Sequence, residues 1–157
     1  TPVVSSAASD VYKRQNGDPS VVRAALDGKK NEKMKILAVT FLTNQNRKDL
    51  DLSLIKSGNI DELVTERACN AFLAGADGVI CSPLEANLIR KKTQFSDKII
   101  VTPGIRLDKS DAGDQKRVST PSEAIKAGAD YIVVGRPIWN AKDPILAVNE
   151  ILKDMCI

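Results

Sequence analysis

Four short apolar segments alternate with segments that carry helix-start signals, and this alternation limits the fold more than any other feature of the chain. The four segments are Lys35–Thr40, Gly78–Cys81, Ile99–Thr102 and Tyr131–Val134. Their apolar residues are continuous instead of alternating with polar ones, which is typical of parallel strands covered by helices on both faces. The order predicts one helix followed by four β/α units, and therefore a parallel α/β fold.

Helix-start signals precede or follow each strand. Four helices are predicted to begin at an N-cap residue followed by proline: Asp18-Pro19, Ser82-Pro83, Thr120-Pro121 and Asp143-Pro144. A glutamate lies three residues after Ser82 and after Thr120, which predicts a capping box at both places. A fifth helix is predicted from Asp61 to Ala74, with Gly75 ending it.

One tetrapeptide, Ala-Gly-Ala-Asp, occurs at 74–77 and again at 127–130, and each copy leads into an apolar strand. Reuse of one helix-to-strand turn favours a barrel-type array of like units over a sheet with a single switch point. A (β/α)8 barrel needs eight strands and about 250 residues. This chain of 157 residues therefore has the content of the second half of a TIM barrel, strands 5 to 8.

The composition excludes several classes of protein. Hydrophobic residues make up 43% of the chain and charged residues 27%, as in one soluble globular domain. The apolar runs are too short to span a membrane, and a net charge of +3 is too small to indicate a nucleic-acid partner. Histidine is absent, which removes His-dependent triads and His-ligated metals and leaves lysine, carboxylates, arginine and backbone amides for chemistry.

The ends and the cysteines give two further expectations. Residues 1–15 lack helical, strand or secretory-signal patterns, so we expect a non-native or disordered leader, a partial barrel domain over 16–154 and a non-native tail at 155–157. Three cysteines without metal-like spacing predict free thiols in a reducing compartment, and hence a cytoplasmic protein: Cys69, Cys81 and Cys156.

Two arginines follow consecutive predicted strands. Arg106 ends the motif Pro-Gly-Ile-Arg, and Arg136 follows Gly135 after the next strand. Gly-Arg-Pro alone is ordinary turn chemistry, and Pro-Gly-Ile-Arg alone favours neither a turn nor a phosphate role. Loops after neighbouring strands, however, meet at the active end of a barrel, where phosphate is commonly held. A phosphate is bound well by guanidinium groups and by the N-terminus of a helix. Gly135 adds to this because it lets the backbone approach the ligand closely. The pair therefore predicts a phosphate site.

A long polar loop separates the first arginine from the next helix. Its length as far as Gln115 predicts a lid that folds over the ligand and excludes water. Lys116 and Arg117, which follow, are interpreted as a solvated face of the loop.

These motifs resemble those of the orotidine 5′-phosphate decarboxylase family. The matching blocks are LAVTFLT (37–43), GADGVICSPLEA (75–86), VTPGIR (101–106), AGDQKR (112–117), STP (119–121) and AGADYIVVGRPI (127–138). The resemblance implies conversion of orotidine monophosphate to uridine monophosphate (UMP) and carbon dioxide in pyrimidine synthesis. It also implies a (β/α)8 homodimer with sites at the interface and no metal or organic cofactor.

The resemblance also implies roles for individual residues. Arg106, Arg136 and the amide of Gly135 correspond to the phosphate contacts of the family. Gln115 corresponds to the lid glutamine between phosphate and pyrimidine, and Thr43 to the residue at the base edge. Without the resemblance, the better interpretation of Thr43 is a cap of the turn after its strand, and the better interpretation of Gln115 is a solvated loop amide.

The family's catalytic lysine motif, D-x-K-x-x-D-I-P-N, does not occur in this sequence. The chain alone is therefore predicted to be inactive, as the C-terminal half of a decarboxylase. The alternative is a non-catalytic half-barrel that binds nucleotide phosphate or serves as an assembly module; the DNA upstream of residue 16 would separate the two. A third interpretation is a sugar-phosphate synthase or decarboxylase on a related barrel. It would explain the phosphate-binding end of the barrel but not the GDQKR segment.

Overall fold

A computed structural model describes residues 19–52, 57–107 and 117–155, and it contains the four predicted strands and the helices between them. The strands are β1 (Leu37–Val39), β2 (Gly78–Ile80), β3 (Ile99–Thr102) and β4 (Tyr131–Ile132). The helices are α1 (Pro19–Asp27), α2 (Arg47–Leu52), α3 (Ile60–Leu73), α4 (Pro83–Arg90), α5 (Pro121–Lys126), α6 (Arg136–Trp139) and α7 (Pro144–Met155), with a 3₁₀ turn at Thr93–Phe95.

The strands form one parallel sheet in the order β1-β2-β3-β4. Each strand therefore lies beside the next one in the chain, as in consecutive units of a (β/α)8 barrel. The predicted parallel α/β fold is confirmed. Strand β3 has the predicted bounds, and the other three strands are shorter than predicted. β1 lacks Lys35, Ile36 and Thr40, β2 lacks Cys81, and β4 ends at Ile132.

Helix α2 was not predicted, although the sequence contains a signal for it. The backbone N–H of Asn46 donates to Asp49 Oδ2 at 2.7 Å, and the N–H of Asp49 donates to Asn46 Oδ1 at 3.3 Å. This reciprocal pair is a capping box built from asparagine and aspartate. Searching only for a Ser or Thr cap with glutamate overlooks it.

The two predicted capping boxes have different outcomes. At α5 the box is present: Glu123 N–H donates to Thr120 Oγ1 at 3.2 Å, and Thr120 N–H donates to Glu123 Oε2 at 3.1 Å. At α4, Ser82 caps the helix by accepting from Leu84 N–H at 3.3 Å, but the Glu85 side chain pairs elsewhere. The predicted box at Ser82 is wrong because Glu85 is needed for another contact.

The repeated aspartates make the same hydrogen bonds in both units. Asp77 N–H donates to the carbonyl of Ile36 at 2.9 Å, and Ile36 N–H donates to Asp77 Oδ2 at 2.8 Å. Asp130 exchanges the equivalent bonds with Ile100, at 2.9 and 2.7 Å. Each aspartate therefore joins the amino-terminal ends of two neighbouring strands, which gives the sequence repeat a structural purpose.

The main core lies between the sheet and the helices on one of its faces. Ala38, Val79 and Ile100, one from each of the first three strands, are buried there with residues of α3 and α4. A smaller cluster beneath α5 contains Ile105, Ala124 and Ala129. The core therefore fixes the first three strands, whose loops carry part of the predicted site.

The opposite face of the sheet is apolar but incompletely covered. Val39, Ile80, Val101 and Tyr131 are register partners in one row across all four strands. Val39 and Ile80 are half-buried, and the Tyr131 side chain is 61% exposed. In a closed barrel such a row is part of the packed interior.

Three expectations fall partly outside the described residues. The predicted leader at 1–15 lies outside them entirely, and Met155 of the predicted tail is the last residue of α7. In the described part of the chain, no helix has the length and apolarity needed to cross a membrane. Cys69 and Cys81 are free thiols, as predicted, whereas Cys156 lies outside the described residues.

Candidate functional site

The two predicted phosphate arginines lie after the carboxyl ends of adjacent strands. Thr102 and Ile132 are register partners at the ends of β3 and β4, and Arg106 and Arg136 follow them at the same spacing. Arg106 is 6% exposed, and Arg136, the first residue of α6, is half-buried. The sheet therefore places both side chains at one end of the molecule, on loops that leave neighbouring strands.

Backbone pairing holds Arg106 in place. Its N–H donates to the carbonyl of Ser119 at 2.9 Å, and Ser119 N–H donates to the carbonyl of Gly104 at 3.2 Å. The Arg106 guanidinium also donates to the carbonyl of Ile105 at 2.7 Å. The chain that leaves β3 is thus paired with the chain that returns to α5, and this pairing fixes the backbone of Arg106.

Gly104 permits a close approach that another residue would block. Its φ is +81°, a left-handed conformation that favours glycine. A Cβ at this position would lie 2.9 Å from the carbonyl oxygen of Arg117 and 3.4 Å from Cγ2 of Thr43. The predicted base-edge residue Thr43, which is buried, is therefore packed against the Pro-Gly-Ile-Arg turn.

Gly135 is the N-cap residue of α6, and because it has no side chain its backbone can be approached closely. A Cβ here would lie 3.0 Å from the nearest ring atom of Trp139, the single tryptophan of the chain. The indole ring is 71% exposed and covers the glycine from one side. Trp139 was not predicted as a site residue, and its place one helical turn after Gly135 is the signal that would have indicated it.

The prediction that Arg117 lies on a solvated face of the loop is wrong. Arg117 is 6% exposed, and its guanidinium pairs with Glu85 and donates to the carbonyl of Leu42 at 2.9 Å. Its backbone N–H donates to the carbonyl of Thr43 at 3.2 Å. Polar neighbours in the sequence made Arg117 look solvated, but its partners lie far away along the chain. Lys116 and the predicted lid residue Gln115 lie outside the described residues.

Glu85 is fully buried in the first turn of α4. Burial raises the pKa of its carboxyl group, and the charge and hydrogen bond of Arg117 act in the opposite direction without cancelling the shift. Within the described chain, Oε2 of Glu85 and Nε of Arg117 are buried without a hydrogen-bond partner. A buried charged pair of this kind is costly to break, because either partner alone would remain unpaired.

These residues together favour an anion over a metal ion. The candidate site supplies guanidinium groups and a glycine backbone, which are donors to phosphate oxygens. Among the described residues, no group of three or more His, Cys, Asp or Glu side chains is arranged to hold a metal ion.

Comparison with known proteins identifies the family. The family model for orotidine 5′-phosphate decarboxylase / HUMPS matches residues 16–151, most of the chain. The chain belongs to this family. The resemblance found in the motifs is thereby confirmed for the family, while the roles of individual site residues stay predictions.

Curated relatives in the decarboxylase family are similar over nearly the whole chain. The orotidine 5′-phosphate decarboxylase of Ruegeria pomeroyi is 57% identical over 140 residues, which cover 89% of this chain and 58% of the relative. That of Jannaschia sp. is 54% identical over 140 residues, covering 89% of this chain and 61% of the relative. The chain therefore spans about three fifths of the length of the curated relatives that it matches.

Solved structures support the partial-barrel fold. The crystal structure of orotidine 5′-phosphate decarboxylase from Lactobacillus acidophilus matches with a TM-score of 0.71 at 34% identity, covering 89% of this chain and 60% of that one. The enzyme from Sulfolobus solfataricus matches with a TM-score of 0.57 at 20% identity, which shows the fold alone. The four-stranded sheet is thus part of a TIM barrel, as the strand order indicates.

Proposed function

We propose that this chain is the nucleotide-binding part of an orotidine 5′-phosphate decarboxylase, a cytoplasmic lyase of pyrimidine synthesis. The observation that carries the proposal is the 57% identity with a relative of that name over 140 residues. The rest of the barrel would come from sequence that this chain does not contain.

In this proposal Arg106 and Arg136 bind the phosphate of orotidine monophosphate or UMP, and the amide of Gly135 donates a further hydrogen bond. A guanidinium group offers paired N–H donors that match phosphate oxygens, so two of them give a strong and oriented contact. Thr43 lies at the base edge, and Gln115 bridges phosphate and pyrimidine. No organic cofactor or metal is needed for these contacts.

The proposal separates binding from chemistry. Loss of carbon dioxide leaves a carbanion, which requires a fixed ammonium group to stabilise and protonate it. The lysine motif that supplies this group in the family does not occur in the sequence. The chain alone therefore binds nucleotide without decarboxylating it, and the complete enzyme works as a homodimer.

Titration with UMP tests the binding, with Trp139 fluorescence as the signal because the indole ring lies beside Gly135. We expect saturable binding that Arg136→Ala weakens at least about tenfold, since a hydrogen bond to a charged group is lost. Arg23→Ala, at an exposed position on α1, removes the same charge elsewhere and serves as the matched control. Equal affinities for the wild type, the Arg136 variant and the control would refute the phosphate assignment.

An assay for UMP formation from orotidine monophosphate tests the second part of the proposal. The purified chain should give no product above the rate without protein. Turnover would show that the chain can protonate the ring without that lysine motif, and the predicted inactivity would be wrong.

A further inference from the structure

The ion pair of Glu85 and Arg117 has no part in the predicted phosphate contacts, yet it lies at the same end of the sheet. Glu85 belongs to the loop and helix after β2, and Arg117 is the first described residue after the segment that follows Leu107. Both side chains are buried: that of Glu85 is 0% exposed and that of Arg117 is 7% exposed. A buried charged pair needs a reason beyond stability, because apolar residues of similar size commonly stabilise a core equally well.

The contacts of Arg117 suggest that reason. Its guanidinium group contacts the loop after β1 through the carbonyl of Leu42 and the first turn of α4, which follows β2, through Glu85. Its backbone N–H binds the carbonyl of Thr43, and its carbonyl oxygen lies against Gly104 after β3. One residue therefore joins the segments that follow three strands of the sheet.

Arg117 acts on one of these loops in particular. Its guanidinium group donates to the carbonyl of Leu42, and its backbone N–H donates to the carbonyl of Thr43, the next residue. Removing the guanidinium group leaves the backbone bond in place but takes away the bond to Leu42, directly before Thr43. Arg106 is held instead by its backbone pairing with Ser119 and by the carbonyl of Ile105. Loss of the Arg117 guanidinium should thus displace Thr43 more than Arg106.

We propose that Arg117, held by Glu85, is a positioning residue that fixes Thr43 at the base side of the nucleotide site. The inference rests on the proposed function, because Thr43 has a role only if a nucleotide binds. Glu85 gives up its predicted capping bond at α4 to serve this pair, whereas the equivalent Glu123 keeps its capping bond at α5. Departure from a local rule of this kind is expected where function competes with stability.

The first test compares two ligands on the full chain. Arg117→Met keeps the length of the side chain and removes its donors, so we expect affinity for UMP to fall about tenfold, as for other residues that act through a neighbour. Affinity for ribose 5-phosphate, which has no base, should change less than about twofold by the same reasoning. A merely structural role would weaken binding of both ligands equally.

Arg90→Met is the matched control. Arg90 pairs with Asp130 at 2.5 Å and donates to three backbone carbonyls at the amino-terminal end of the sheet, away from Thr43. Arg90→Met should lower the stability of the fold and should change the affinities for UMP and ribose 5-phosphate by the same factor. Glu85→Gln should reproduce part of the Arg117 effect, and the double variant should lose no more than Arg117→Met alone, because both changes act through one pair.

Hydrogen exchange gives a second readout that needs no ligand. Arg117→Met should speed amide exchange in peptides that contain residues 41–47 and leave peptides from α7 unchanged. Unchanged exchange at 41–47, or equal loss of affinity for both ligands, would overturn the inference. If the wild-type chain binds neither ligand, the proposed function fails, and the role of Arg117 fails with it. If the wild-type chain binds both ligands and Arg117→Met binds them with the same affinities, only the inference about Arg117 is overturned.

Discussion

At the scale of single residues, the two described cysteines carry the same thiol in different surroundings. Cys81, directly after β2, is fully buried, and Cys69 on α3 is half-buried. Burial raises the pKa of the Cys81 thiol to about 12, and the nearby Glu85 carboxylate adds to the shift. Since the thiolate is the reactive form, Cys81 should be inert.

We expect iodoacetamide at pH 8 to modify Cys69 while Cys81 stays unmodified in the folded chain. With a pKa of about 12, only about one Cys81 thiol in ten thousand is ionised at that pH. Peptide mapping after a timed reaction measures both sites in one sample. Cys81 should react only after addition of denaturant, and equal labelling of both cysteines in the folded chain would contradict the expectation.

The placement of the candidate site residues was predictable from sequence where they belong to compact motifs. The turn before Arg106 and the glycine before Arg136 are visible as short patterns, and the structure places them after adjacent strands. Arg117 was misjudged because its partners, Glu85 and Leu42, are distant in sequence. Burial that depends on such contacts leaves no local pattern, so a charged residue in a polar stretch looks solvated.

At the scale of secondary-structure elements, the repeated Ala-Gly-Ala-Asp turn joins β1 to β2 and β3 to β4. Asp77 accepts a hydrogen bond from Ile36 N–H and forms salt bridges with Lys29 at 3.6 Å and Lys35 at 3.5 Å. Burial acts to raise the pKa of Asp77, but the hydrogen bond and the two lysines outweigh burial, so that the pKa is lowered. The ionised form therefore stabilises the junction of β1 and β2.

This lowered pKa gives stability a pH dependence of definite sign. A carboxyl group with a lowered folded-state pKa contributes stability above its unfolded pKa of about 3.9, and that contribution disappears as the pH falls through the folded value. Asp77→Asn should therefore reduce the free energy of unfolding most at neutral pH, with a difference from the wild type that shrinks below about pH 4. Urea denaturation at a series of pH values measures it.

Asp97→Asn is the control, because Asp97 is exposed in the turn before β3. Its difference from the wild type should be small at every pH. If the deficit of Asp77→Asn stayed constant down to about pH 2, the stabilisation would not depend on ionisation of Asp77.

The elements themselves were predictable because each strand is a continuous apolar run and each principal helix has a start signal. The structure confirms the order of the four β/α units and the helix caps at Ser82 and Thr120. It adds α2, whose Asn46 and Asp49 cap is an unusual pair. β1 and β4 end one or two residues earlier than predicted. The N–H groups of Thr40 and Val133, just past these ends, still donate to the carbonyls of Ile80 and Thr102 on the neighbouring strands, so the difference concerns only the boundary residues.

At the scale of the whole molecule, the sheet has one covered and one incompletely covered apolar face. The helices bury Ala38, Val79 and Ile100, while the row that contains Val39, Ile80 and Tyr131 lies on the other side. Val133, two residues after Tyr131 and so on the same face of the chain, is 50% exposed. In the described part of the chain, β1 and β4 are the edges of the sheet. Apolar surface of this kind, beside such edges, promotes association.

We therefore expect the purified chain to self-associate through this face, and Tyr131→Lys to reduce the association. A lysine in the row places a charge where apolar surfaces would meet, and the 61% exposure of Tyr131 means that the exchange removes little packing within one chain. Leu73→Lys is the matched control, since Leu73 at the end of α3 is 74% exposed and lies outside the row. Sedimentation at increasing concentration compares the three proteins. Monomers at about 100 μM, where exposed apolar surface normally leads to association, would show that the face is not adhesive, and an equal effect of the Leu73 variant would place the contact elsewhere.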